Sequence, residues 1–385
     1  MDRSQALALL KKIVQINSVN PPGNETLVAD ELKKLFEEHG IETELVEYSE
    51  GRCNLIATLN GSSAGKVLGF TGHMDVVPPG QIEWKYDPFG AEEVDGKIYG
   101  RGSCDMKSGL MAFVMAMISL KEEDIPLKGS IKLLATIGEE TGAIGAGQLT
   151  EEGYADDLDA LIVGEPSSNE IVTSHKGALW LEIITYGKTA HGSAPHLGVN
   201  AVEHMNEIIN QIQSDNFKLP YEYDELLKAP TFSINAMQGG SSMNVIPDYC
   251  SMKLDIRTLP SQNHEEILEN VHKMVELSKD RYPNLNAKIK VVADLEPVKT
   301  NIDDPFVDLT LKASESVSGP RDEPKGFTGI TDACAFKQSK KDFPIIVMGP
   351  GDITLAHQSN EYVEVEEYLN SIETYKEVAK KFLTE

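Results

Sequence analysis

The stretch Phe70–Pro78, FTGHMDVVP, guides the interpretation of the whole chain. The apolar run that ends at Phe70 is typical of a buried strand, and it leads directly into a histidine and an aspartate one residue apart. Neutral imidazole is a common ligand of transition metals, and a ligating histidine usually needs a carboxylate to fix its tautomer. We therefore interpret His73 as a metal ligand and Asp75 as the residue that orients it. The alternative is a hydrogen-bonded loop, so the rest of the chain must supply further ligands.

Length and composition narrow the class of protein. A chain of 385 residues is longer than one hydrophobic core usually organises, so we expect two domains. The chain holds 35 basic and 61 acidic residues, a formal charge of −26, which repels nucleic acid and anionic membrane surfaces. No apolar run approaches the ~20 residues that span a bilayer, so we expect a cytoplasmic protein without a membrane partner. The four cysteines lack CxxC spacing, which argues against a disulfide framework and against a thiolate zinc site.

Alternating strand and helix patterns predict an α/β fold with an open mixed sheet for most of the chain. An amphipathic helix precedes Pro21, and a second one, capped by Asn24, runs to Glu38. The stretch 61–65, GSSAG, predicts a hairpin turn between two strands. The segment 107–120 is apolar nearly all round, which favours a helix buried against the sheet. Further strands are predicted at 42–48, 54–59, 67–70, 131–137, 160–163 and 344–348, and further helices at 304–316 and 364–382.

The region 177–294 has a different pattern. Its elements are predicted in the order β-α-β-β-α-β, which is the ferredoxin-like arrangement of a small α+β domain. The predicted strands are 179–186, 231–237, 250–257 and 287–292, and the predicted helices are 199–213 and 264–281. We therefore expect one domain built from 1–176 and 295–385, with 177–294 inserted as a second domain.

Candidate partners for His73 follow other strands. In open α/β sheets, ligands bind beyond the carboxyl ends of the strands. The predicted strands are followed by Glu139 and Glu140, by Glu165 and by His357. Asp105 stands just before the buried helix. Each has a simpler alternative: Asp105 as a helix cap, the glutamate pair as a solvated turn, and the other two as ordinary loop residues.

The combination of these side chains indicates hydrolysis at a metal centre. Two imidazoles and three carboxylates can hold two divalent ions if one carboxylate is shared, and two such ions activate a water molecule and polarise a carbonyl group. Nitrogen and oxygen ligands suit zinc, with cobalt or manganese as alternatives. Glu140 can bind metal while Glu139 takes the proton of the water and passes it to a leaving nitrogen.

These residues resemble the motifs of the M20 metallopeptidases over essentially the full chain. The matching motifs are Gly72–Pro78, Gly100–Gly102, Asp105–Gly109, Glu139–Glu140, Gly164–Pro166 and Ala356–His357. The resemblance implies a mixed-sheet zinc-peptidase catalytic domain with an inserted lid domain that mediates homodimerisation. It further implies that Asp105 bridges two metal ions. His73 and Glu165 would complete the ligand set of one ion, and Glu140 and His357 that of the other. Glu139 would be the general base, and Asp75 would orient His73.

The same resemblance extends to residues of the lid domain. His191, in Thr189–Ser193, matches a histidine that crosses the dimer to stabilise the oxyanion. Asn244 and Arg257 match residues that contact the substrate, and a guanidinium can hold a substrate carboxylate bidentately. Without the family, His191 reads as a loop residue and Arg257 as an ordinary exposed one. The segment containing Gly329 and Thr331 is expected to touch the substrate, although it departs from the glycine- and serine-rich loop of the desuccinylases in this family.

The resemblance implies a small N-acyl amino acid as the substrate. We expect N-succinyl-LL-2,6-diaminopimelate, hydrolysed to succinate and LL-2,6-diaminopimelate in lysine and peptidoglycan precursor synthesis. The alternatives within the family are deacetylation of N-acetylornithine and cleavage of dipeptides or other acyl amino acids. A non-catalytic binding or scaffold protein with this fold would lack the base or a ligand, whereas this sequence retains all of them.

Overall fold

The computed structural model describes residues 2–384, which fall into two compact units. The first unit comprises residues up to Ser174 together with Val298–Gly326 and the residues from Thr331 onward. The second unit comprises His175–Pro297 and Phe327–Ile330. The second unit is thus an insertion into the chain of the first, and one short segment of the later chain joins it.

The residues before the insertion alternate between helix and strand. The helices are α1 (Arg3–Val14), α2 (Thr26–Glu38), α3 (Lys107–Glu122) and α4 (Ile144–Glu151). The strands are β1 (Glu42–Ser49), β2 (Arg52–Asn60), β3 (Ser63–His73), β4 (Glu92–Val94), β5 (Lys97–Tyr99), β6 (Lys128–Thr136), β7 (Ala160–Val163) and β8 (Val172–His175). The predicted helices and strands of this region are therefore present, with ends that differ by a few residues.

The inserted region has the predicted β-α-β-β-α-β order, with two short additional strands. Its strands are β9 (Gly177–Tyr186), β10 (Ala190–His191), β11 (Thr231–Gly239), β12 (Val245–Ile246), β13 (Tyr249–Thr258) and β14 (Asn286–Leu295). Its helices are α5 (Ala201–Gln213) and α6 (His264–Ser278). The four long strands form one sheet in the order β11-β13-β9-β14, which is the ferredoxin-like order expected from the sequence.

The chain after the insertion completes the first unit. Its strands are β15 (Val298–Lys299), β16 (Lys325–Phe327), β17 (Ile345–Val347) and β18 (Tyr362–Glu364), and its helices are α7 (Pro305–Ser318), α8 (Ala333–Phe336) and α9 (Val365–Thr384). A mixed sheet with the strand order β1-β2-β6-β3-β7-β17-β8-β15 runs through this unit. The fold class predicted from the sequence, an α/β protein with a mixed sheet, is confirmed.

Two local predictions were wrong. The stretch 61–65 is no hairpin turn, because β3 already begins at Ser63 and pairs in parallel with β6, while β2 pairs with β6 from the other side. Asn24 does not cap α2, whose N-cap residue is Glu25. The turn-forming residues were visible in the sequence, but the insertion of β6 between the two strands was not.

Helix α3 lies at the centre of the first unit, with residues 107–120 all buried. The Phe113 ring stacks on the Phe70 ring of β3, with centroids 4.4 Å apart, and on the Tyr375 ring of α9, with centroids 4.3 Å apart. Burial of aromatic side chains is a large stabilising contribution, and here it fixes the helix against the sheet. Because Asp105 lies two residues before α3, this packing also fixes the position of Asp105.

No helix among residues 2–384 is long and apolar enough to cross a membrane.

Candidate metal centre

The carboxyl ends of neighbouring parallel strands bring the predicted ligands together. His73 is the last residue of β3, and Glu165 follows β7, which pairs with β3 in parallel. Glu139 and Glu140 follow β6, the parallel neighbour of β3 on its other side. Parallel strands end at one edge of a sheet, so residues far apart in sequence meet there.

A glycine allows α3 to start beside this edge. A Cβ atom added to Gly109 would lie 1.9 Å from the main-chain oxygen of Gly164, which directly precedes Glu165. Any larger residue at position 109 would push the first turn of α3 away from the end of β7. The close approach therefore holds Asp105 and Glu165 near the same point.

Asp105 lies between the two imidazoles. Its Oδ1 atom is 3.0 Å from His73 Nε2, and its Oδ2 atom is 3.4 Å from His357 Nε2. His73 Nε2 is also 3.6 Å from Glu165 Oε1, and His357 Nε2 is 3.0 Å from Glu140 Oε2. Each oxygen of the Asp105 carboxylate thus faces a different histidine, which is the arrangement that a bridging ligand requires.

The carboxylates are held in a strongly acidic and buried environment. Burial, and next the charge of Glu165, raise the pKa of the Glu139 carboxyl well above its usual range. Burial, and next the charge of Asp105, raise the pKa of Glu165 well above its usual range and also raise that of Glu140. Repulsion between these groups stores unfavourable energy that a bound cation would relieve.

The imidazoles respond to the same carboxylates. Burial opposes the charged form of His73, but Glu165, Asp105 and Asp75 outweigh it and raise its pKa well above 6.5. The hydrogen bond with Glu140 raises the pKa of His357 despite partial burial. A raised pKa favours the protonated imidazole, so we expect metal binding to release protons.

Asp75 connects His73 to the glutamate pair. His73 Nδ1 donates a hydrogen bond to the Asp75 main-chain carbonyl at 2.9 Å, and the Asp75 carboxylate Oδ1 lies 3.6 Å from the same nitrogen. The carboxylate accepts hydrogen bonds from Asn20 Nδ2 at 2.9 Å and from the Glu139 N–H at 3.2 Å. Because Nδ1 is a donor, Nε2 of His73 is free to act as a ligand.

The donor set fits divalent cations. At this edge of the sheet, two groups of side chains have ligand atoms within 4.8 Å of one another, namely His73 with Asp105 and Glu140, and His73 with Glu139 and Glu165. Within residues 2–384, the ion pairs of Asp105, Glu140 and Glu165 are formed with imidazoles and with no lysine or arginine side chain. Buried carboxylates are normally paired with a cation or bound to a metal, and here a metal matches the nitrogen and oxygen donors.

The second unit brings together two of the other predicted residues. His191 is exposed in the short strand β10, which pairs with β12, and the Gly192 N–H donates to the Asn244 main-chain oxygen at 2.7 Å. The His191 ring is held by Ser193, whose hydroxyl lies 2.8 Å from Nδ1. His191 and Asn244 are therefore close neighbours on one loop structure.

The three remaining predicted residues, Arg257, Gly329 and Thr331, lie in different segments of the structure. Arg257, in β13, binds Asp255 through Nε at 2.9 Å and Nη2 at 3.2 Å. Gly329 belongs to the short segment that joins the second unit. Thr331 belongs to the first unit, is fully buried, and accepts a hydrogen bond from the Ala333 N–H at the start of α8.

Sequence reasoning missed two buried carboxylates of the first unit. Asp332 accepts a hydrogen bond from Thr136 Oγ1 at 2.5 Å, and burial raises its pKa to about 7. Glu361 is fully buried and accepts hydrogen bonds from the main chain that precedes α3. The only sequence signal was position, since Asp332 follows Thr331 and Glu361 stands four residues after His357.

Residues 69–381 match the peptidase family M20/M25/M40, and the chain belongs to this family. A relative from Staphylococcus epidermidis, named "Probable succinyl-diaminopimelate desuccinylase", is 32% identical over 100% of this chain and 99% of its own length. An "Acetylornithine deacetylase" from Shigella sonnei is 34% identical over 88% of this chain and 85% of its own length.

A solved structure has the same fold. It is a Bacillus subtilis protein described as "a Dinuclear Metal Binding Peptidase from M20 Family", with 19% identity, a TM-score of 0.75, and coverage of 99% of this chain and 98% of its own. Together with the family, the named relatives make this chain a metallohydrolase that acts on amide bonds.

Proposed function

We propose that the chain hydrolyses N-succinyl-LL-2,6-diaminopimelate to succinate and LL-2,6-diaminopimelate, a step of lysine and peptidoglycan precursor synthesis. The observation that carries the hydrolytic part is the Asp105 carboxylate, whose two oxygens face His73 and His357 at 3.0 and 3.4 Å beside the half-buried Glu139. The name of the Staphylococcus epidermidis relative, which matches this chain over its full length, supports the substrate.

We assign two ions to the site. Asp105 would be shared between them, with His73 and Glu165 completing one ligand set and Glu140 and His357 completing the other. Zinc suits these nitrogen and oxygen donors, with cobalt or manganese as substitutes. The description of the Bacillus subtilis structure as dinuclear supports the number of ions. When bound, the ions would supply Lewis acid chemistry that polarises the amide carbonyl and acidifies a water molecule.

We assign the following roles to the protein side chains. Glu139 would take a proton from the attacking water and deliver it to the leaving nitrogen, because a carboxyl whose pKa is raised above its usual range is a better proton acceptor. Asp75 would hold His73 in the tautomer that leaves Nε2 free and would fix the main chain of Glu139. His191, from the second subunit of a homodimer, would donate a hydrogen bond to the developing oxyanion.

The residues of the inserted region would recognise the substrate. We propose that 1–176 and 295–385 form the catalytic domain and that 177–294 form a lid that also makes the dimer. Arg257 would supply a local positive charge for a substrate carboxylate, with Asp255 fixing the plane of its guanidinium. Asn244, Gly329 and Thr331 would complete the contacts with the acyl amino acid.

N-acetylornithine is the second candidate substrate. The Shigella sonnei relative with this activity in its name is slightly more similar, at 34% identity, but over 88% of the chain. The two substrates differ in the acyl group, since succinyl carries a carboxylate and acetyl does not. A site built to bind the succinyl carboxylate would be left with an unpaired cation when acetyl is bound, which penalises the smaller group.

A comparison of substrates tests the proposal. The zinc-loaded protein is given N-succinyl-LL-2,6-diaminopimelate, N-acetylornithine and a set of dipeptides, and kcat/KM is measured for each. We expect the succinyl substrate to exceed the others by at least about tenfold. A higher kcat/KM for N-acetylornithine or a dipeptide would replace the proposed substrate, and activity that survives complete removal of metal by a chelator would exclude the metal mechanism.

A further inference from the structure

A fully buried glutamate holds the main chain on which Asp105 is carried. Glu361 Oε1 accepts three main-chain hydrogen bonds, from Gly102 at 3.0 Å, from Cys104 at 2.9 Å and from Asp105 itself at 3.0 Å. A carboxylate oxygen that accepts hydrogen bonds from several main-chain N–H groups fixes their relative orientation, as a bound anion does in a turn. Glu361 thus fixes the loop between β5 and α3 directly at the shared ligand.

The other oxygen of Glu361 is paired with Arg101, whose side chain is only 2% exposed. Arg101 Nη2 donates further hydrogen bonds to the main-chain oxygen of His357 at 3.3 Å and to that of Pro78 at 3.4 Å. His357 is a candidate ligand, and Pro78 ends the stretch that carries His73. One buried ion pair therefore contacts three separate segments of chain that carry candidate ligands.

The location of the pair argues for a role beyond stability. Removing two charges from water is costly, and a buried ion pair is often no more stabilising than apolar side chains of similar volume. Here three of the five main-chain hydrogen bonds of the pair go to Cys104, Asp105 and His357, each a candidate ligand or the residue next to one. A pair that served only the core would not need to reach the main chain of both Asp105 and His357.

We propose that Arg101 and Glu361 are positioning residues that set the angle of Asp105 between the two imidazoles and so determine metal affinity. The inference rests on the proposed dinuclear centre, and neither residue is assigned contact with the ions or the substrate. Glu361 fixes Asp105 by accepting a hydrogen bond from the Asp105 N–H, while Arg101 fixes His357 by donating one to the His357 main-chain carbonyl. Loss of either contact would move one oxygen of the Asp105 carboxylate away from its histidine.

Two variants separate the halves of the pair. Glu361→Gln keeps an oxygen for the three N–H groups but presents an amide NH2 to Arg101, so it breaks the ion pair with little change in shape. Arg101→Lys keeps the positive charge but removes the planar guanidinium group, whose Nη2 donates to the carbonyls of His357 and Pro78. Glu207→Gln is the matched control, because Glu207 is a buried glutamate that binds Arg281 at 3.0 Å in the second unit, which contains none of the proposed metal ligands.

The measurements are made on metal-stripped, full-length protein titrated with Co²⁺. Calorimetry gives the affinity and number of ions, the visible absorption spectrum reports the coordination geometry, and urea unfolding of the stripped protein reports stability. We expect Glu361→Gln to weaken cobalt binding by about 10- to 100-fold and to change the spectrum, as loss of a ligand-orienting partner does. Arg101→Lys should weaken the ion held by His357 more than the ion held by His73, and Glu207→Gln should bind cobalt as wild type does.

The possible outcomes distinguish a failure of the positioning role from a failure of the proposed function. Variants that lose stability but keep the wild-type cobalt affinity and spectrum would show that the pair is merely structural and would overturn the inference. If Glu361→Gln does not fold, Arg101→Lys decides by the same criteria. A wild-type protein that binds two cobalt ions but does not hydrolyse acyl amino acids would refute the proposed function alone, since the expected loss of affinity in the variants would still support the positioning role.

Discussion

Asp105 and Glu139 carry the chemistry of the proposed site at the scale of single residues. Burial raises the pKa of Asp105, but the hydrogen bond with His73 and the charges of both imidazoles outweigh it and keep that pKa below its ordinary value. Glu139, without such a hydrogen bond, has a raised pKa. The pKa values of these two carboxyl groups are therefore shifted in opposite directions by their different partners.

Replacing the proposed base tests this division of roles. Glu139→Ala should leave two metal ions bound and lower kcat by about three orders of magnitude, because the proton transfer loses its acceptor. Metal content is measured together with kcat, and Glu151→Ala, an exposed glutamate in α4, is the control that should retain full activity. Wild-type turnover in the Glu139 variant would remove it from the mechanism.

His175 provides a pH-dependent test of stability outside the metal centre. It is fully buried, its Nδ1–H donates to the Lys176 carbonyl at 2.8 Å, and its Nε2 has no hydrogen-bond partner within residues 2–384. Burial lowers its pKa from 6.5 to about 4. Between these two values the unfolded chain binds a proton that the folded chain does not, so the free energy of unfolding falls as the pH is lowered through this window.

The expected loss is about 3 kcal/mol from this residue between pH 7 and pH 4. Urea unfolding of wild type and His175→Gln at several pH values isolates the contribution, because glutamine does not titrate and other groups are common to both proteins. The variant should lose less stability on acidification than wild type. Parallel pH profiles for the two proteins would contradict the assignment.

At the scale of elements, the close approach of α3 to the end of β7 decides where the candidate ligands meet. A glycine in a helix normally destabilises it relative to alanine, so Gly109 needs another explanation. That explanation is the 1.9 Å distance at which a Cβ atom would meet the Gly164 oxygen.

Gly109→Ala should therefore lower the free energy of unfolding by about 1–3 kcal/mol, despite the better helix propensity of alanine. It should also weaken metal binding, since it displaces the start of α3 from Glu165. Gly147→Ala in α4 is the matched control, because nothing lies within 4 Å of the added Cβ, and it should be neutral or stabilising by up to about 1 kcal/mol. Equal effects of the two substitutions on urea unfolding would show that helix propensity alone is at work.

The elements also show where sequence patterns succeed. The apolar run 160–163 and the apolar segment 107–120 correspond to β7 and α3, because burial on all sides leaves a continuous apolar signature. The stretch 61–65 misled because a run of glycine and serine indicates a turn without indicating which strands flank it in space. Strand pairing depends on residues far apart in the sequence, and here β2 and β3 both pair with β6 instead of with each other.

At the scale of the whole molecule, the proposed homodimer can be tested by complementation. If His191 acts in the site of its partner subunit, a heterodimer of His191→Ala and Glu139→Ala subunits has one site with both residues intact. The mixed protein should recover activity at that site, whereas each variant alone should remain nearly inactive. Activity is measured on heterodimers purified with two different affinity tags, and an inactive heterodimer would refute the crossing histidine.

The amino-acid sequence by itself determined the chemistry of this protein. Motifs such as Gly72–Pro78 and Asp105–Gly109 were enough to indicate the family, and family membership is confirmed. Local order was also encoded, because the β-α-β-β-α-β pattern of the inserted region depends on hydrophobic periodicity that neighbouring residues carry.

Only the tertiary structure decided which residues surround the candidate ligands. Glu361 gave no local signal of burial, and its three N–H partners and Arg101 lie about 260 positions away in the chain. Hydrogen bonds and ion pairs between such distant residues depend on how strands and helices pack, whereas a sequence pattern reports only the preferences of nearby residues. The stretch Phe70–Pro78 therefore indicated a candidate metal site, and the packing around Asp105 decided the geometry of the candidate ligands.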